Sequence, residues 1–432
     1  MVSRVAAARA IMEAVTHARP LEERLAADLS LRHARLDPRD PALSRSIATV
    51  ALRRLGTIRK ALAQKLEKGV PRRSGMLEWT LIVGAAQILF LDVPDHAAVD
   101  LAVRATRTDA ASAPFAGLVN AVLRGIARDR ETILSAPDPL NDDTPSWLAD
   151  RWRENYGELN AQAIAAAHRC EPTFDISVKS DAEAWAERLG GIVLPTGSVR
   201  LHTHRCVAEL EGYAAGEWWV QDAAAALPAR LIEAHSGLRV VDLCAAPGGK
   251  SAELASAGAM VTSVDRSAER LKVLAHNFER LRLHSDIVVA DALTFEASPF
   301  DAVLIDAPCS ATGTIRRHPD VAWIKRASDL ISLVKLQAQL LDKAITLTRP
   351  GGVIVYCTCS LEPEECEAQI PAALRRNPDV RRSPIGPNEI GGLAECLTPA
   401  GELRTLPCHF WRGDPRLSGL DGFFAARLVK SG

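Results

Sequence analysis

Three short segments of this 432-residue sequence combine apolar stretches with side chains that could do chemistry. Residues 240–251 run from an apolar stretch into a Pro-Gly-Gly turn. Residues 302–309 and 353–359 are apolar stretches that lead to thiols, Cys309 and Cys359. Thiolates are nucleophiles near neutral pH. Because the carboxyl ends of parallel strands meet at one edge of a sheet, the pattern predicts a nucleotide-like pocket facing two cysteines.

The first segment is typical of a strand, a tight turn and a helix N-terminus, the corner where doubly wound sheets bind nucleotides. It lacks the Gly-x-Gly-x-x-Gly of dinucleotide sites. Gly249-Lys250-Ser251 matches the end of a phosphate loop, but Cys244 replaces the loop's first glycine. Pro247 also removes an N–H donor from a loop that works through donors. A nucleotide hydrolase remains an alternative.

Aspartates end four successive apolar stretches and favour S-adenosylmethionine instead. Asp265 lies about 20 residues past the corner, where an acidic side chain binds ribose hydroxyls. Asp291 is placed to accept from an adenine amino group, and Asp242 and Asp306 end the other two stretches. Any one of them alone could simply cap a helix. Together they suit a cationic sulfonium better than a triphosphate.

Two thiols beside a methyl donor suggest methylation of cytosine at carbon 5. That carbon is a poor nucleophile until a thiolate adds at carbon 6 and makes it electron-rich. Loss of the carbon-5 proton then expels the thiol, and a second thiol could assist release. Both cysteines reach one base only if the base leaves its stack. Cys309 lies in a turn, and Cys359 lies just past its strand, whereas Cys357 and Cys244 are typical of small buried hydrophobes.

The surrounding pattern predicts a multidomain protein. Apolar residues recur every three or four positions in an all-α bundle, residues 1–134, and a Pro-rich stretch, 135–145, is typical of a linker. We expect a small α/β subdomain at 146–235. Strands then alternate with helices over 236–432, which predicts an α/β Rossmann-like domain with a mostly parallel sheet.

Composition narrows the functional class. Residues 1–140 carry a net charge of +6 and the remainder −7, so the bundle permits a polyanionic partner without requiring one. All nine cysteines lie at or beyond Cys170 with irregular spacing, which favours free thiols in a reducing compartment and no metal site. The most apolar run, residues 79–91, is too short to span a bilayer. We expect a cytoplasmic, monomeric protein without a membrane or metal partner.

Taken together, the motifs resemble a known family. Residues 242–250, Asp-Leu-Cys-Ala-Ala-Pro-Gly-Gly-Lys, with 306–310, Asp-Ala-Pro-Cys-Ser, and 358–360, Thr-Cys-Ser, resemble the signatures of the Sun-type (Fmu) RNA cytosine-5 methyltransferases. Residues 306–320 are similar to the branch that modifies bacterial small-subunit (16S) ribosomal RNA. The N-terminal bundle is similar to the RNA-binding NusB fold, notably at 119–124.

The resemblance implies a role for each matching residue. Cys359 is the nucleophile, Cys309 releases the product, Lys250 lies close to the reacting base, and Asp306 binds its edge. The residues expected to bind S-adenosylmethionine, and its product S-adenosylhomocysteine, are Cys244, Ala245, Ala246, Pro247, Gly248, Gly249, Lys250, Asp265, Arg270, Asp291 and Asp306. The residues expected to contact ribosomal RNA are Lys179, Arg124, Arg316 and Arg317.

Two positions depart from the family pattern. Only Lys179 matches in the strand 175–179, which leaves base contacts there open, and Cys357 replaces the branch's usual alanine. We therefore predict a methyltransferase that makes 5-methylcytosine in 16S ribosomal RNA. The same chemistry on another RNA such as tRNA, a nucleotide hydrolase, and a non-catalytic RNA-binding factor remain the alternatives.

Overall fold

The computed structural model describes residues 1–30, 37, 39–135, 138–202 and 206–432, which fall into two compact units. The first unit consists of Met1–Arg169 and Ile315–Arg326, and the second of Cys170–Thr314 and Ala327–Gly432. The first unit is helical, and the second unit contains two β-sheets with helices packed on them.

The first unit is a helical bundle built around one apolar helix. The described helices are α1 Val2–His17, α2 Leu21–Ser30, α3 Asp40–Arg53, α4 Leu55–Lys65, α5 Leu77–Phe90, α6 Asp95–Thr106, α7 Ala116–Arg128, α8 Arg130–Leu134, α9 Pro139–Asp142, α10 Ser146–Arg169, which is broken at Gly157, and α15 Val321–Ile324. Helix α5 is apolar on nearly every face and almost entirely buried, as expected at the centre of a bundle.

The segment Ile315–Arg326 packs into this bundle although it lies far along the chain. The Trp323 indole packs on the core and donates a hydrogen bond to the Leu52 carbonyl oxygen at 3.0 Å. The Asp320 carboxylate accepts from the Leu21 amide at 2.9 Å. These bonds complete the first unit with residues that the sequence pattern placed in the catalytic domain.

The predicted boundary at residue 145 therefore differs from the one in the structure. The expected linker contains α9, in which Leu140 is buried, and α10 packs with the bundle and not with the small α/β region. Periodicity predicted α10 correctly as a helix, but it carries no information about which core covers its apolar face.

The second unit begins with a small antiparallel sheet. Its strands are β1 Phe174–Val178, β2 Gly191–Val193, β3 Val199–Leu201 and β4 Trp218–Val220, in the order β2-β3-β1-β4. Helix α11 Ala182–Leu189 packs against β2 and β3, and α12 Ala223–Arg230 leads to the larger sheet.

The larger sheet has the order β10-β12-β9-β8-β5-β6-β7, with β11 paired to β12. Its strands are β5 Arg239–Leu243, β6 Met260–Asp265, β7 Asp286–Val289, β8 Phe300–Asp306, β9 Thr348–Thr358, β10 Val380–Arg382, β11 Leu403–Thr405 and β12 Phe423–Lys430. Its helices are α13 Gly249–Ser256, α14 Ala268–Leu281, α16 Asp329–Leu347 and α17 Gln369–Arg376.

The chain order reverses at β5, and this reversal positions the site. Strands β6 and β7 follow on one side of β5, whereas β8 and β9 follow on the other, and all of these pairs are parallel. The carboxyl ends of β5, β6, β8 and β9 therefore meet at a topological switch point, where such sheets bind their ligands. The predicted Rossmann-like fold is confirmed.

The described ranges were compared with two kinds of feature, a membrane-spanning helix and a group of metal-binding side chains, and they contain neither. No helix there is both long and apolar enough to cross a membrane. No group of three or more His, Cys, Asp or Glu side chains there is arranged to hold a metal ion.

Candidate active site

The glycine corner follows the carboxyl end of β5. Gly248 has a φ of 104°, and a Cβ at this position would come within 2.8 Å of Leu274 Cγ, so the turn requires glycine. Asp265, at the end of β6, accepts a hydrogen bond from the Ala246 amide at 3.2 Å. Arg270 donates to the Ala246 carbonyl oxygen and lies 3.5 Å from the Asp265 carboxylate. Asp265 and Arg270 therefore hold the glycine corner in place from two sides.

Asp242 lies completely buried behind this corner. Its Oδ2 accepts from the Ser251 hydroxyl at 2.5 Å, and that hydroxyl accepts from Ser263 at 3.0 Å. Its Oδ1 has no hydrogen-bond partner among the described residues. Burial raises the pKa of Asp242 to about 7, although the Ser251 hydrogen bond acts in the opposite direction.

The corner and this orphaned acceptor fit S-adenosylmethionine. The ammonium group of that molecule carries the donors that Asp242 Oδ1 lacks. The glycine corner lets the amino-acid end of S-adenosylmethionine approach the backbone closely. Asp291 is exposed, and its Oδ1 accepts from the Leu293 amide at 2.9 Å, as a turn-capping residue would. Its contact with adenine stays a prediction.

The two predicted catalytic thiols are close neighbours. Cys309 Sγ lies 3.4 Å from Cys359 Sγ, and both side chains are only partly buried. The hydrogen bond to Cys359, together with burial and nearby negative charge, holds the pKa of Cys309 well above its usual range. The thiol form of Cys309 is therefore favoured, and either sulfur can donate the hydrogen bond between them.

Lys250 and Asp306 form an ion pair beside the thiols. Lys250 Nζ lies 2.8 Å from Asp306 Oδ2 and 4.9 Å from the centre of the Phe423 ring. Burial acts to lower the pKa of Lys250, but the Asp306 carboxylate outweighs it and raises this pKa. Lys250 is paired with a carboxylate, whereas the lysine of a phosphate loop binds the phosphates of a nucleotide. The ion pair therefore disfavours the phosphate-loop alternative.

Cys357 and Cys244 are less suited to nucleophilic chemistry. Cys357 is completely buried, and its Sγ lies 3.8 Å from Asp306 Oδ1. Burial, followed by the Asp306 charge, raises the pKa of Cys357 well above its usual range. Burial also raises the pKa of Cys244 to about 12. Both are held as thiols, since the thiolate form is disfavoured.

A buried carboxylate that the sequence pattern did not single out connects the two thiol loops. Glu365 Oε1 accepts from the Ser310 amide at 2.9 Å, and Oε2 accepts from the Ser360 hydroxyl at 2.5 Å. These serines directly follow Cys309 and Cys359. The only available signal was the acidic run at 362–365, which is more typical of a solvated turn.

The residues predicted to contact RNA have four different environments. Arg124 is exposed and lines a groove of about 610 Å³ between α6 and α7 in the first unit. Lys179 donates to the Leu281 carbonyl oxygen and so joins the small sheet to α14. Arg317 is half-buried. Arg316 is only 3 % exposed, so its guanidinium lies inside the first unit and we no longer propose a phosphate contact for it.

Comparison with known proteins gives this geometry a family. The model of the 16S rRNA methyltransferase RsmB/F family matches residues 229–429, and the NusB family model matches residues 1–128. Ribosomal RNA small subunit methyltransferase B of Xylella fastidiosa is 36 % identical, over 98 % of this chain and 99 % of its own. The chain belongs to the RsmB/F family.

A second relative agrees with this membership, and solved structures share the fold. The protein of the same name from Vibrio cholerae is 35 % identical, over 88 % of this chain and 90 % of its own. Among solved structures, PH0851 has a TM-score of 0.72 at 23 % identity and covers 99 % of both chains. A methyltransferase homologue from Pyrococcus horikoshii has a TM-score of 0.55 at 26 % identity and covers 67 % of this chain and 96 % of its own. The expected family and domain types are confirmed.

Proposed function

We propose that this RsmB/F methyltransferase uses S-adenosylmethionine to convert a cytosine of 16S ribosomal RNA to 5-methylcytosine through a covalent cysteine adduct. The observation that carries the proposal is the pair of thiols 3.4 Å apart beside the Lys250–Asp306 ion pair. This group lies at the switch point that also holds the glycine corner. The names of the relatives, which specify small-subunit ribosomal RNA, support the substrate.

Cys359 and Cys309 have distinct tasks in this mechanism. The Cys359 thiolate adds to carbon 6 of the cytosine, and the electron pair of the carbon 5–carbon 6 double bond moves toward carbon 5. After methylation the carbon-5 proton leaves to water, its bonding pair restores the double bond, and Cys359 departs as a thiolate. The Cys309 S–H, 3.4 Å away, then donates its hydrogen bond to that departing sulfur.

Lys250 and Asp306 stabilise the adduct at the ring edge. Negative charge develops on the cytosine ring when the thiolate adds, and the Lys250 ammonium, which is only 9 % exposed, acts on it in a partly desolvated site. Asp306 accepts from the exocyclic amino group, which selects cytosine over uracil. The Phe423 ring packs on Lys250 and limits its mobility.

The residues that would hold S-adenosylmethionine are the corner 244–250 with Asp242, Asp265 and Asp291. When bound, this cofactor supplies an electrophilic methyl group on a sulfonium. Asp265 and Arg270 keep the corner in place through Ala246. The carboxylate of Asp242 satisfies the ammonium and avoids an unpaired acceptor.

Substitution of each thiol tests the proposal. Cys359→Ala should lower 5-methylcytosine formation in 16S ribosomal RNA at least about 10⁴-fold while cofactor binding survives. Cys309→Ala should instead accumulate a covalent protein–RNA complex, visible on a denaturing gel. Nucleoside mass spectrometry measures the product, and calorimetry measures cofactor binding.

Three outcomes would contradict the proposal. Cys357→Ala should not trap RNA, so a trapped complex in that variant with an active Cys359→Ala would reassign the nucleophile. Faster methylation of tRNA than of 16S ribosomal RNA would change the substrate. Magnesium-dependent ATP or GTP hydrolysis that is indifferent to both thiols would favour the hydrolase.

A further inference from the structure

Glu365 is a completely buried carboxylate whose hydrogen bonds converge from three parts of the second unit. Its Oε1 accepts from the Ser310 amide and from Gln337 Nε2, each at 2.9 Å. Its Oε2 accepts from the Ser310 hydroxyl and, at 2.5 Å, from the Ser360 hydroxyl. Both carboxylate oxygens are thus fully used.

Burying the Glu365 carboxylate costs free energy, so its position between the two thiol loops calls for an explanation. A buried carboxylate loses its hydration, and the four donors that replace the water here are all neutral. A fold that needed only to fill this space would do so with an apolar side chain. The donors that Glu365 gathers include the residues directly after the two catalytic cysteines, Ser310 and Ser360.

The backbone connects the same two loops in parallel with Glu365. The Gly313 amide donates to the Cys359 carbonyl oxygen at 3.0 Å, and the Leu361 amide donates to the Thr312 hydroxyl at 2.9 Å. Tyr356 in β9 donates its hydroxyl to the Glu365 carbonyl oxygen at 2.7 Å and so anchors the carboxylate's own backbone. Relative motion of the Cys309 and Cys359 loops would break several of these bonds together.

We propose that Glu365 is a positioning residue that holds the Cys309 and Cys359 sulfurs in register for addition to one base and for release from it. The proposal rests on the proposed function, because it assigns Glu365 a task in the two-thiol mechanism. Glu365 itself contacts neither substrate nor cofactor. Its negative charge also adds to the effects that keep Cys309 protonated.

The first experiment replaces the carboxylate by its amide. Glu365→Gln turns one acceptor oxygen into an NH₂ donor that faces the Ser310 or Ser360 donors, so the two loops lose part of their connection. The turnover number should fall about 10²-fold, because a displacement of about 1 Å between reacting groups has that effect. The KM for S-adenosylmethionine should stay unchanged, since the glycine corner keeps its contacts.

A second readout is independent of RNA and cofactor. Diamide, an azo oxidant, takes up the two hydrogens of the Cys309 and Cys359 thiols while a disulfide forms between them. The close sulfurs of the wild-type protein should cross-link readily, and Glu365→Gln should cross-link at least about ten-fold more slowly. Peptide mapping identifies the bridge, and Glu364→Gln, the same change at an exposed neighbour, should leave both readouts within two-fold.

Two smaller variants keep the test decisive if Glu365→Gln does not fold. Ser310→Ala and Ser360→Ala each remove one hydroxyl donor to Glu365, and each should lower the turnover number and the cross-linking rate about three- to ten-fold. Ser332→Ala, whose exposed hydroxyl donates to the Asp329 carbonyl oxygen, is their control.

Wild-type rates in the folded Glu365→Gln protein, or in both serine variants, would overturn the positioning role. A wild-type protein that methylates no cytosine would instead overturn the proposed function. In that case the cross-linking rates alone would still decide whether Glu365 holds the two sulfurs together.

Discussion

The second unit contains two acid–base pairs of opposite character. Arg200 and Asp175, in the small sheet, are both 0 % exposed and form two hydrogen bonds of 2.7 and 2.8 Å. Arg200 also donates to the Leu417 carbonyl oxygen at 2.9 Å. Lys250 and Asp306, at the edge of the larger sheet, form one hydrogen bond, and their side chains are 9 % and 34 % exposed.

The difference separates a pair with a structural role from the pair that we propose to be functional. Arg200 and Asp175 bond each other and the backbone around them, including the Ala223 amide at 3.2 Å, and their complete burial keeps them from any ligand. Asp306 has a second oxygen whose neighbour is only a weak thiol donor 3.8 Å away. An ion pair at an open sheet edge with spare hydrogen-bonding capacity is the one that can bind a base.

The largest expected effect is the loss of activity in Asp306→Asn. The amide cannot accept from the cytosine amino group in the same way and leaves Lys250 without its charged partner, so methylation should fall about 10³-fold. The unfolding free energy should fall by less than about 2 kcal/mol, because the amide oxygen can still accept a hydrogen bond from the buried Lys250 and the side chain of residue 306 is 34 % exposed to solvent. Single-turnover methylation and urea unfolding measure the two quantities. A variant that is active but unfolds easily would reverse the comparison.

The opposite result is expected for Arg200→Met. It leaves the Asp175 carboxylate buried and unpaired, so the unfolding free energy should fall by about 3–5 kcal/mol. The folded fraction should keep its turnover number within about two-fold. Arg188→Met, which removes an exposed pair with Glu211, is the matched control and should cost less than about 1 kcal/mol. An equal loss of unfolding free energy in both variants would show that burial does not determine how much an ion pair contributes to stability.

Asp242 extends the comparison to a buried carboxylate that is hydrogen-bonded to a neutral hydroxyl, that of Ser251, instead of to a cation. Its folded pKa of about 7 lies above the ordinary value of 3.8, so its stabilising contribution is present at acid pH and is lost as pH rises toward 7. In the cofactor-free protein the unfolding free energy should therefore fall by about 2–3 kcal/mol between pH 5 and pH 8. Asp242→Asn should remove that share of the pH dependence in urea titrations. An unchanged pH profile in the variant would contradict this prediction.

The smallest effect is expected for Cys357→Ala. Removing the thiol takes away a side-chain neighbour of the second Asp306 oxygen, so the carboxylate is less well oriented. The turnover number should fall less than about ten-fold, since hydrogen bonds of thiols are weak. Cys357→Ser, which restores a donor, should recover part of the rate in the same assay. A complete loss of activity would instead indicate that Cys357 takes part in the chemistry.

Sequence patterns predicted which residues meet at this edge of the sheet, because the segments that carry them are local. The parallel strands β5, β6 and β8 are short and mainly apolar, and the glycine corner and Asp265 lie at the ends of such strands, so the topology brings them together. The motifs therefore indicated Cys309 and Cys359 before any distance was known. The 3.4 Å separation of their sulfurs depends on side-chain packing that no spacing encodes.

The features that sequence reasoning missed depend on contacts between distant segments. Glu365 belongs to an acidic turn, and only the arrival of Gln337 from α16 and the two thiol loops makes it buried. Arg316 was predicted to contact RNA because it lies in a segment that resembles the ribosomal RNA branch of the family, yet residues 315–326 pack inside the first unit. The membership of α10 in the first unit was hidden for the same reason.

The packing of residues 315–326 in the first unit also affects the order in which the parts of the protein can fold. A domain at the start of a chain usually folds as soon as it leaves the ribosome. Here the first unit is incomplete until Trp323 and Asp320 have been translated. These two residues come after residues 170–314 in the chain. A fragment that ends at residue 169 would lack the Trp323 side chain that packs on its core, so we expect it to be less stable than the complete first unit.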